Sequence, residues 1–307
     1  MIVLLMVMIG IFLLWLAVGF VGFRVAICRS HELNINDRAS LKGTSWDRYY
    51  DEIQEGIAWI KSHEMELVEI ESEDGLKLRG RLIKNPKAKG TVLMFHGYRT
   101  HPEVDFSASS HVYYESGNHI LLIDQRASGA SEGKYIGFGV LESRDCKRWT
   151  EYVEKRFGSD KDIIIAGLSM GASTVLMAAG HDLPKNVKGI VADSAFSSPN
   201  EIIQKKISQS YHCNSKMITM AIGIWSRLLA GYSLRELSVL DTMKKNQIPV
   251  FFIHGKADRL VPVEMTVKAA EICLAPKKIL LVENAEHGTG YLVENEMYKN
   301  MLREFCS

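Results

Sequence analysis

Hydrophobic and polar positions change period several times along this chain. From Met1 to Phe23 there is no charged side chain, and Ile, Val, Leu, Met and Phe dominate. As a helix rising ~1.5 Å per residue, this run is about 34 Å long, enough to cross the hydrocarbon core of a bilayer. Residues 24–64 then read as a juxtamembrane segment with helical stretches. Met65–Ile70 and Leu76–Ile83 are strand-like runs around Glu73-Asp74-Gly75, a Gly-containing turn that joins hairpin strands. Pro86 and Gly90 punctuate the chain before a short apolar strand, Thr91–Phe95.

Short apolar runs then recur at His119–Ile123, Asp162–Ala166, Val187–Ala192, Val250–Ile253 and Lys278–Val282. Helical text separates them, including Leu141–Phe157 and Ser169–Ala179. Continuous apolar strands alternating with helices predict an α/β fold whose parallel sheet is covered on both faces, with the hairpin at its edge. One interval breaks the rhythm. Ser194 to Pro249 is about 50 residues, too long for an ordinary strand-helix-strand crossover. It contains Met217–Trp225, almost wholly apolar yet too short to span a bilayer. Two readings fit: one sheet-covering helix with long flanks, or a helical cap over a substrate pocket, about 195–246.

The N-terminal run also has rivals. A secretory signal peptide wants a basic region before Ile2, which is lacking, and a small-x-small cleavage site, for which Ala17 and Gly19 are a weak match. Val25-Ala26-Ile27-Cys28 hints at a lipoprotein signal, but Ile before the Cys fits poorly. A buried core helix is rarely so long and apolar on every face. A retained single-pass anchor at 1–23 fits best, with the globular body from 65 to 307. Arg24, Arg29, Arg38 and Lys42 follow the run, so the positive-inside bias places the body in the cytoplasm.

Composition narrows the field without choosing a function. The 307 residues are 47% hydrophobic and 24% charged, values ordinary for a packed globular chain. Net charge is +1, from 37 basic and 36 acidic residues, which calls for neither nucleic acid nor a strongly charged substrate. The five cysteines (Cys28, Cys146, Cys213, Cys273, Cys306) are scattered, lack metal-ligand spacing and read as reduced thiols.

The chemistry centres on Gly167-Leu168-Ser169-Met170-Gly171. It follows one apolar strand and opens a helix of small residues, the setting in which a serine nucleophile stands on a sharp strand-to-helix turn. Neighbours without bulk two positions away on each side let backbone and helix approach closely there. A serine hydroxyl needs a base to take its proton, and on such a fold the order is Ser, then Asp or Glu, then His. Asp258 lies just past the strand Val250–Ile253. His287, the only histidine after it, follows Lys278–Val282. His287 is therefore the candidate base and Asp258 the acid that orients it. Asp193, Glu283 and Glu286 remain alternative acids, and His254 reads as structural. The oxyanion needs two N–H donors. Met170 supplies one, and Tyr98, in the loop Phe95-His96-Gly97-Tyr98, the other.

Taken in order, His96-Gly97-Tyr98, Asp124-Gln125-Arg126-Ala127-Ser128-Gly129, Gly167–Gly171, His254–Asp258 and Ala285-Glu286-His287-Gly288 resemble the α/β-hydrolase superfamily over roughly residues 65 to 305. The closer likeness is to single-domain, N-terminally anchored bacterial members described as serine aminopeptidase-like or acylglycerol-lipase-like. The resemblance implies an eight-stranded, mostly parallel sheet. Ala127 departs from the Gly usual in that family's Asp-x-Arg-Gly turn, which bears on how tight the turn is. The expected function is hydrolysis of carboxylic esters or thioesters of acylated or lipid-like substrates through an acyl-enzyme, with no metal or organic cofactor. Peptide cleavage and a catalytically silent membrane scaffold are the rival readings. Neither the physiological substrate nor the oligomeric state is legible.

Overall fold

The computed structural model describes residues 1–30, 38–44, 46–211 and 215–306. Cys213 and parts of the 24–64 and 195–246 segments lie outside the described residues. Eight strands form one sheet: β1 Met65–Glu71, β2 Lys77–Ile83, β3 Gly90–Phe95, β4 Asn118–Asp124, β5 Asp162–Leu168, β6 Val187–Asp193, β7 Val250–Gly255 and β8 Lys277–Val282. Their order across the sheet is β1-β2-β4-β3-β5-β6-β7-β8. β1 pairs antiparallel with β2, and β2 antiparallel with β4; every other pairing is parallel. Gly75, at φ 82, makes the hairpin turn between β1 and β2.

Helices of eight or more described residues are α1 Ile2–Ala26, α2 Tyr50–Lys61, α3 Val140–Phe157, α4 Met170–Ala178, α5 Pro199–Tyr211, α6 Ser215–Trp225, α7 Val263–Ile272 and α8 Asn295–Cys306. Successive side chains on a strand point to opposite faces, and the core divides accordingly. Leu93, Phe95, Leu121, Ile123, Ile163, Ile165 and Phe252 face the layer that includes α3, α4 and α7. Val92, Met94, Ile120, Leu122, Ile164, Phe251 and Ile253 face the layer built with α2 and α8. The continuous apolar runs seen in the sequence are strands buried on both sides.

Two features of the N-terminal third differ from the simple anchor-and-linker picture. α2 packs on the body through the buried residues Ile53, Ile57 and Ile60, spaced to form one stripe along the helix. α1 is exposed over most of its length, but one side of its end is not: Phe23, and Ile27 just past the helix, are buried in the main apolar core. Beyond α1, Cys28 pairs with Tyr135 in an isolated bridge, and the Arg29 guanidinium donates to the Ser131 and Gly129 carbonyls at 2.7 and 2.6 Å. The segment immediately after the apolar run is thus part of the folded body. Cys28, Cys146, Cys273 and Cys306 are free thiols.

The turn after β4 is held by buried charge. Arg81 reaches Asp124 through two hydrogen bonds of 2.8 and 3.0 Å. Arg126 donates to both oxygens of Asp145 on α3, at 2.6 and 2.7 Å, and to both of Asp74 in the hairpin turn, at 2.9 and 3.0 Å. Ala127 sits at φ 58, a left-handed conformation that costs a non-glycine residue about 1–2 kcal/mol. The turn keeps its tight geometry without the glycine. The side chains of Arg126 and Asp145 are 4% and 5% exposed, so removing one partner strands the other charge away from water. Arg126→Ala should therefore lower the unfolding free energy by roughly 3–5 kcal/mol, seen as an earlier urea midpoint at unchanged slope.

Candidate active site

β5 runs straight into α4 through Ser169, the residue that caps the helix. Ser169 has φ 55 and ψ −113, a strained backbone for any residue with a Cβ. Two close approaches make the turn feasible. A Cβ on Gly167 would stand 2.2 Å from the Gly171 carbonyl carbon, and one on Gly171 would stand 1.8 Å from the Phe95 carbonyl oxygen. No larger side chain fits either place. The Ser169 amide donates to the Asp193 carbonyl at 2.8 Å, tying the turn to the end of β6. Its hydroxyl stands at the start of α4, where opening N–H groups lack partners inside the helix.

His287 and Asp258 arrive from the loops after β8 and β7. His287 Nε2 lies 2.8 Å from Ser169 Oγ, and Nδ1 lies 2.7 Å from Asp258 Oδ2. An ionised carboxylate only accepts, so Nδ1 carries the proton and Nε2 is left to accept from the serine hydroxyl. Asp258 is fully partnered. Its Oδ1 accepts the Leu260 and Val261 amides at 2.8 and 2.9 Å, and its Oδ2 also lies 3.1 Å from His254 Nε2. Burial alone would raise this carboxyl; hydrogen bonds from His254 and His287 and the Val261 amide outweigh it and hold the group far below the usual carboxylate range. His254 is buried, with Nδ1 2.7 Å from Thr266 Oγ1, and braces the acid from behind.

The alternative acids are engaged elsewhere. Asp193 accepts from the Ser194 hydroxyl at 2.9 Å and from the Tyr298 hydroxyl at 3.1 Å. Glu283 pairs with Lys256, and Glu286 pairs with Arg48 at 2.6 Å.

The loop after β3 lies against Ser169, since a Cβ on Gly97 would be 3.4 Å from Ser169 Cβ. His96 pins the loop. Its Nε2 accepts from the Gln125 amide at 3.2 Å, and its carbonyl accepts from the Gln125 side chain at 2.5 Å. The Gly97 N–H is already committed, to Asp105 Oδ2 at 2.5 Å. Tyr98 and Arg99 reach away from the serine to the end of α1. The Tyr98 hydroxyl donates to the Ala26 carbonyl at 2.8 Å, and Arg99 donates to the carbonyls of Val25 and Cys28 at 2.6 and 3.2 Å. Side-chain donors at a helix C-terminus satisfy carbonyls that have no partner within the helix.

Two residues at the site escape a reading of the sequence. Trp46 donates its indole N–H to the His287 carbonyl at 2.9 Å, from a position 241 residues away along the chain. No local pattern announces such a contact. Asp105 sits under the loop after β3, also accepting from the Thr100 hydroxyl at 2.8 Å, while its Oδ1 is buried with no hydrogen-bond partner among the described residues. Burial pushes its carboxyl up to about 7, with the Gly97 and Thr100 hydrogen bonds opposing. The only hint in sequence is an acid eight positions past the glycine. Among the described residues no group of three or more His, Cys, Asp or Glu side chains is placed to hold a metal ion.

Residues 86–236 match the family described as serine aminopeptidase, S33. The Bacillus subtilis protein YqkD is 28% identical over 236 residues, covering 77% of this chain and 77% of its own. The thiohydrolase aneE of Aspergillus aculeatus is 38% identical over a shorter stretch of 128 residues, 41% of this chain and 40% of its own. Among solved structures, the Pyrococcus furiosus esterase Pf2001 superposes with a TM-score of 0.63 at 26% identity, covering 80% of this chain and 92% of the esterase. The chain has the α/β-hydrolase fold.

Asp105 generates a pH test. The unfolded chain loses this proton near the ordinary value of 3.8, whereas the folded protein keeps it until about 7. Across that window the unfolded state binds fewer protons, so this carboxyl lowers stability as pH rises. Asp105→Asn should gain stability relative to the parent on going from about pH 4.5 to about pH 7.5, by roughly 3–4 kcal/mol. Urea midpoints of both proteins at the two pH values give the result.

Proposed function

We propose that this α/β-hydrolase is a membrane-tethered serine hydrolase that cleaves carboxylic esters or thioesters of acylated, lipid-like molecules. The reading is carried by the unbroken line from Asp258 through His287 to Ser169, with its two contacts of 2.7 and 2.8 Å. Ser169 Oγ attacks the acyl carbon while His287 Nε2 takes its proton, and Asp258 stabilises the imidazolium that forms. Met170 N–H and Tyr98 N–H hold the oxyanion, the first with the added field of the α4 N-terminus. His287 then protonates the leaving alcohol or thiol. In the second half it takes a proton from water, which cleaves the acyl-serine and frees the acid. Carbon–oxygen or carbon–sulfur cleavage and acyl-enzyme hydrolysis together consume one water, and no redox partner is needed.

An acyl substrate agrees with the activities for which these relatives are named, an esterase and a thiohydrolase. The family description names an aminopeptidase, so peptide cleavage stands as the second reading. Residues 195–246 serve here as the cap, and the Gln209 side chain on α5 donates to the Arg259 carbonyl, next to Asp258, at 3.1 Å. α1 serves as the anchor: it is 25 residues long, and an 18-residue stretch of it has a mean hydropathy of 2.9 with 6% of that stretch buried. Arg24 and Arg29 at its end, with Arg38 and Lys42 beyond, orient the body toward the cytoplasm.

Ser169→Ala should abolish labelling by a fluorophosphonate and reduce p-nitrophenyl ester turnover by about 10²–10³-fold or more, to the residual catalysis of binding and the oxyanion donors. Turnover of that variant equal to the parent would overturn the assignment. In the parent, acyl esters should be cleaved with kcat/KM well above that for aminoacyl anilides, and the reverse order selects the peptidase reading. A C-terminal alkaline phosphatase fusion should be inactive and a C-terminal green fluorescent protein fusion bright if the body is cytoplasmic; active phosphatase would reverse the orientation.

A further inference from the structure

α1 is divided along its length by what packs on it. Ile2 to Leu14 are all exposed. From Trp15 to Phe23 the helix is crossed by α6. The Trp15 indole donates to the Met217 carbonyl at 2.9 Å, and the Trp225 indole donates to the Leu16 carbonyl at 2.9 Å. Phe20 and Trp225 stack edge to face with ring centres 5.0 Å apart. The two backbones meet at glycines: a Cβ on Gly19 would stand 2.4 Å from Ala221 Cβ, and one on Gly22 would stand 2.7 Å from Ile222 Cδ1. Beyond that crossing, Phe23 and Ile27 enter the core.

These divisions set a length problem. At ~1.5 Å per residue the free part, Ile2–Leu14, rises about 20 Å, short of the ~30 Å hydrocarbon core of a bilayer. A span needs about 20 residues, which from Ile2 carries the near membrane surface to about Val21. That point lies inside the stretch that α6 crosses. A bilayer traversed over the length of α1 therefore takes in the stretch that α6 crosses.

We infer that α6 and the turn after it lie submerged in the leaflet beside α1, so that the partner of this cap surface is the hydrocarbon of the bilayer. This rests on the anchor role proposed for α1. The outward side of α6 suits that partner. Met217 and Met220 are 47% and 46% exposed, and Leu228 and Leu229 in the π-type turn Ser226–Ala230 are 69% and 43% exposed. They extend the exposed apolar surface of α1 instead of standing alone. No acidic residue occurs in Ser215–Ala230. Its two cations, Lys216 and Arg227, are exposed on long stems that can carry their charge to the headgroups. Close packing at small residues and indole hydrogen bonds to backbone also hold helices together where lipid supplies no hydrophobic drive.

The test uses the full-length chain in phosphatidylcholine–phosphatidylglycerol vesicles, with the photocrosslinking residue benzoylphenylalanine placed singly at four exposed positions. Met220 and Leu229 report on the inferred surface, Ile9 reports on the span, and Ile279, 43% exposed on β8, reports on the water-facing body. After irradiation, intact-protein mass spectrometry counts phospholipid adducts. Adduct yields at Met220 and Leu229 should fall within about threefold of that at Ile9 and exceed that at Ile279 by about tenfold or more. Adducts at Ile9 but none at Met220 and Leu229 would overturn the inference and leave the anchor intact. Crosslinks from Met220 to a second copy of the chain in place of lipid would overturn it as well. Absence of adducts at Ile9 would remove the anchor reading itself, and this inference with it.

Discussion

The backbone at Ser169 carries the constraint on which the rest of this structure depends. At φ 55 and ψ −113 it holds a conformation that costs a side-chain-bearing residue on the order of 1–3 kcal/mol. The surrounding structure imposes it. β5 is hydrogen-bonded on both sides, α4 is wholly buried, and the Ser169 amide is anchored on Asp193. The missing side chains at Gly167 and Gly171 allow strand and helix to close to distances that no Cβ permits. The strain lifts the hydroxyl clear of the sheet at the rim where β7 and β8 also end. That is the place where side chains from three distant loops can meet.

What meets there is graded by burial. Asp258 is enclosed and satisfied by four donors, so it stays ionised and fixes the His287 ring. Asp105 and Asp193, a few residues from the same centre in space, are buried with fewer compensating bonds, and burial raises both. Neighbouring carboxyls are thus shifted in opposite directions, Asp258 down and Asp105 and Asp193 up, by the hydrogen bonds each receives against the water each has lost. The neutral tendency of Asp105 places a pH-sensitive group directly beneath the Gly97 amide and the loop that bears Tyr98.

The N-terminal helix belongs to this arrangement and is no detached tether. Its final carbonyls are capped by Tyr98, whose N–H is a proposed oxyanion donor, and by the neighbouring Arg99, and Phe23 near its end is core. Trp46, downstream of α1, closes over the carbonyl of His287. The end of α1 and the segment that follows it therefore both touch the candidate site.

Much of this was legible along the chain. Apolar runs of strand length separated by helical text identified the doubly covered sheet, because burial on both faces leaves an unbroken run of Val, Ile and Leu that composition alone reveals. Glycines two positions either side of Ser169 marked the turn, because close backbone approach excludes every other residue there. The order of Ser169, Asp258 and His287 followed from strand ends, since each lies just past an apolar run. Other features had no such signature. Trp46, Asp105 and the crossing of α1 by α6 are contacts between segments far apart in sequence, made by ordinary residue types with no period to betray them. Chain-local physics (backbone sterics, burial period, helix length) was written in the sequence. The choice among Asp258, Asp193, Glu283 and Glu286 as partner of His287, and the depth at which the N-terminal helix enters the core, depended on which surfaces met after folding, and only the tertiary structure decided them.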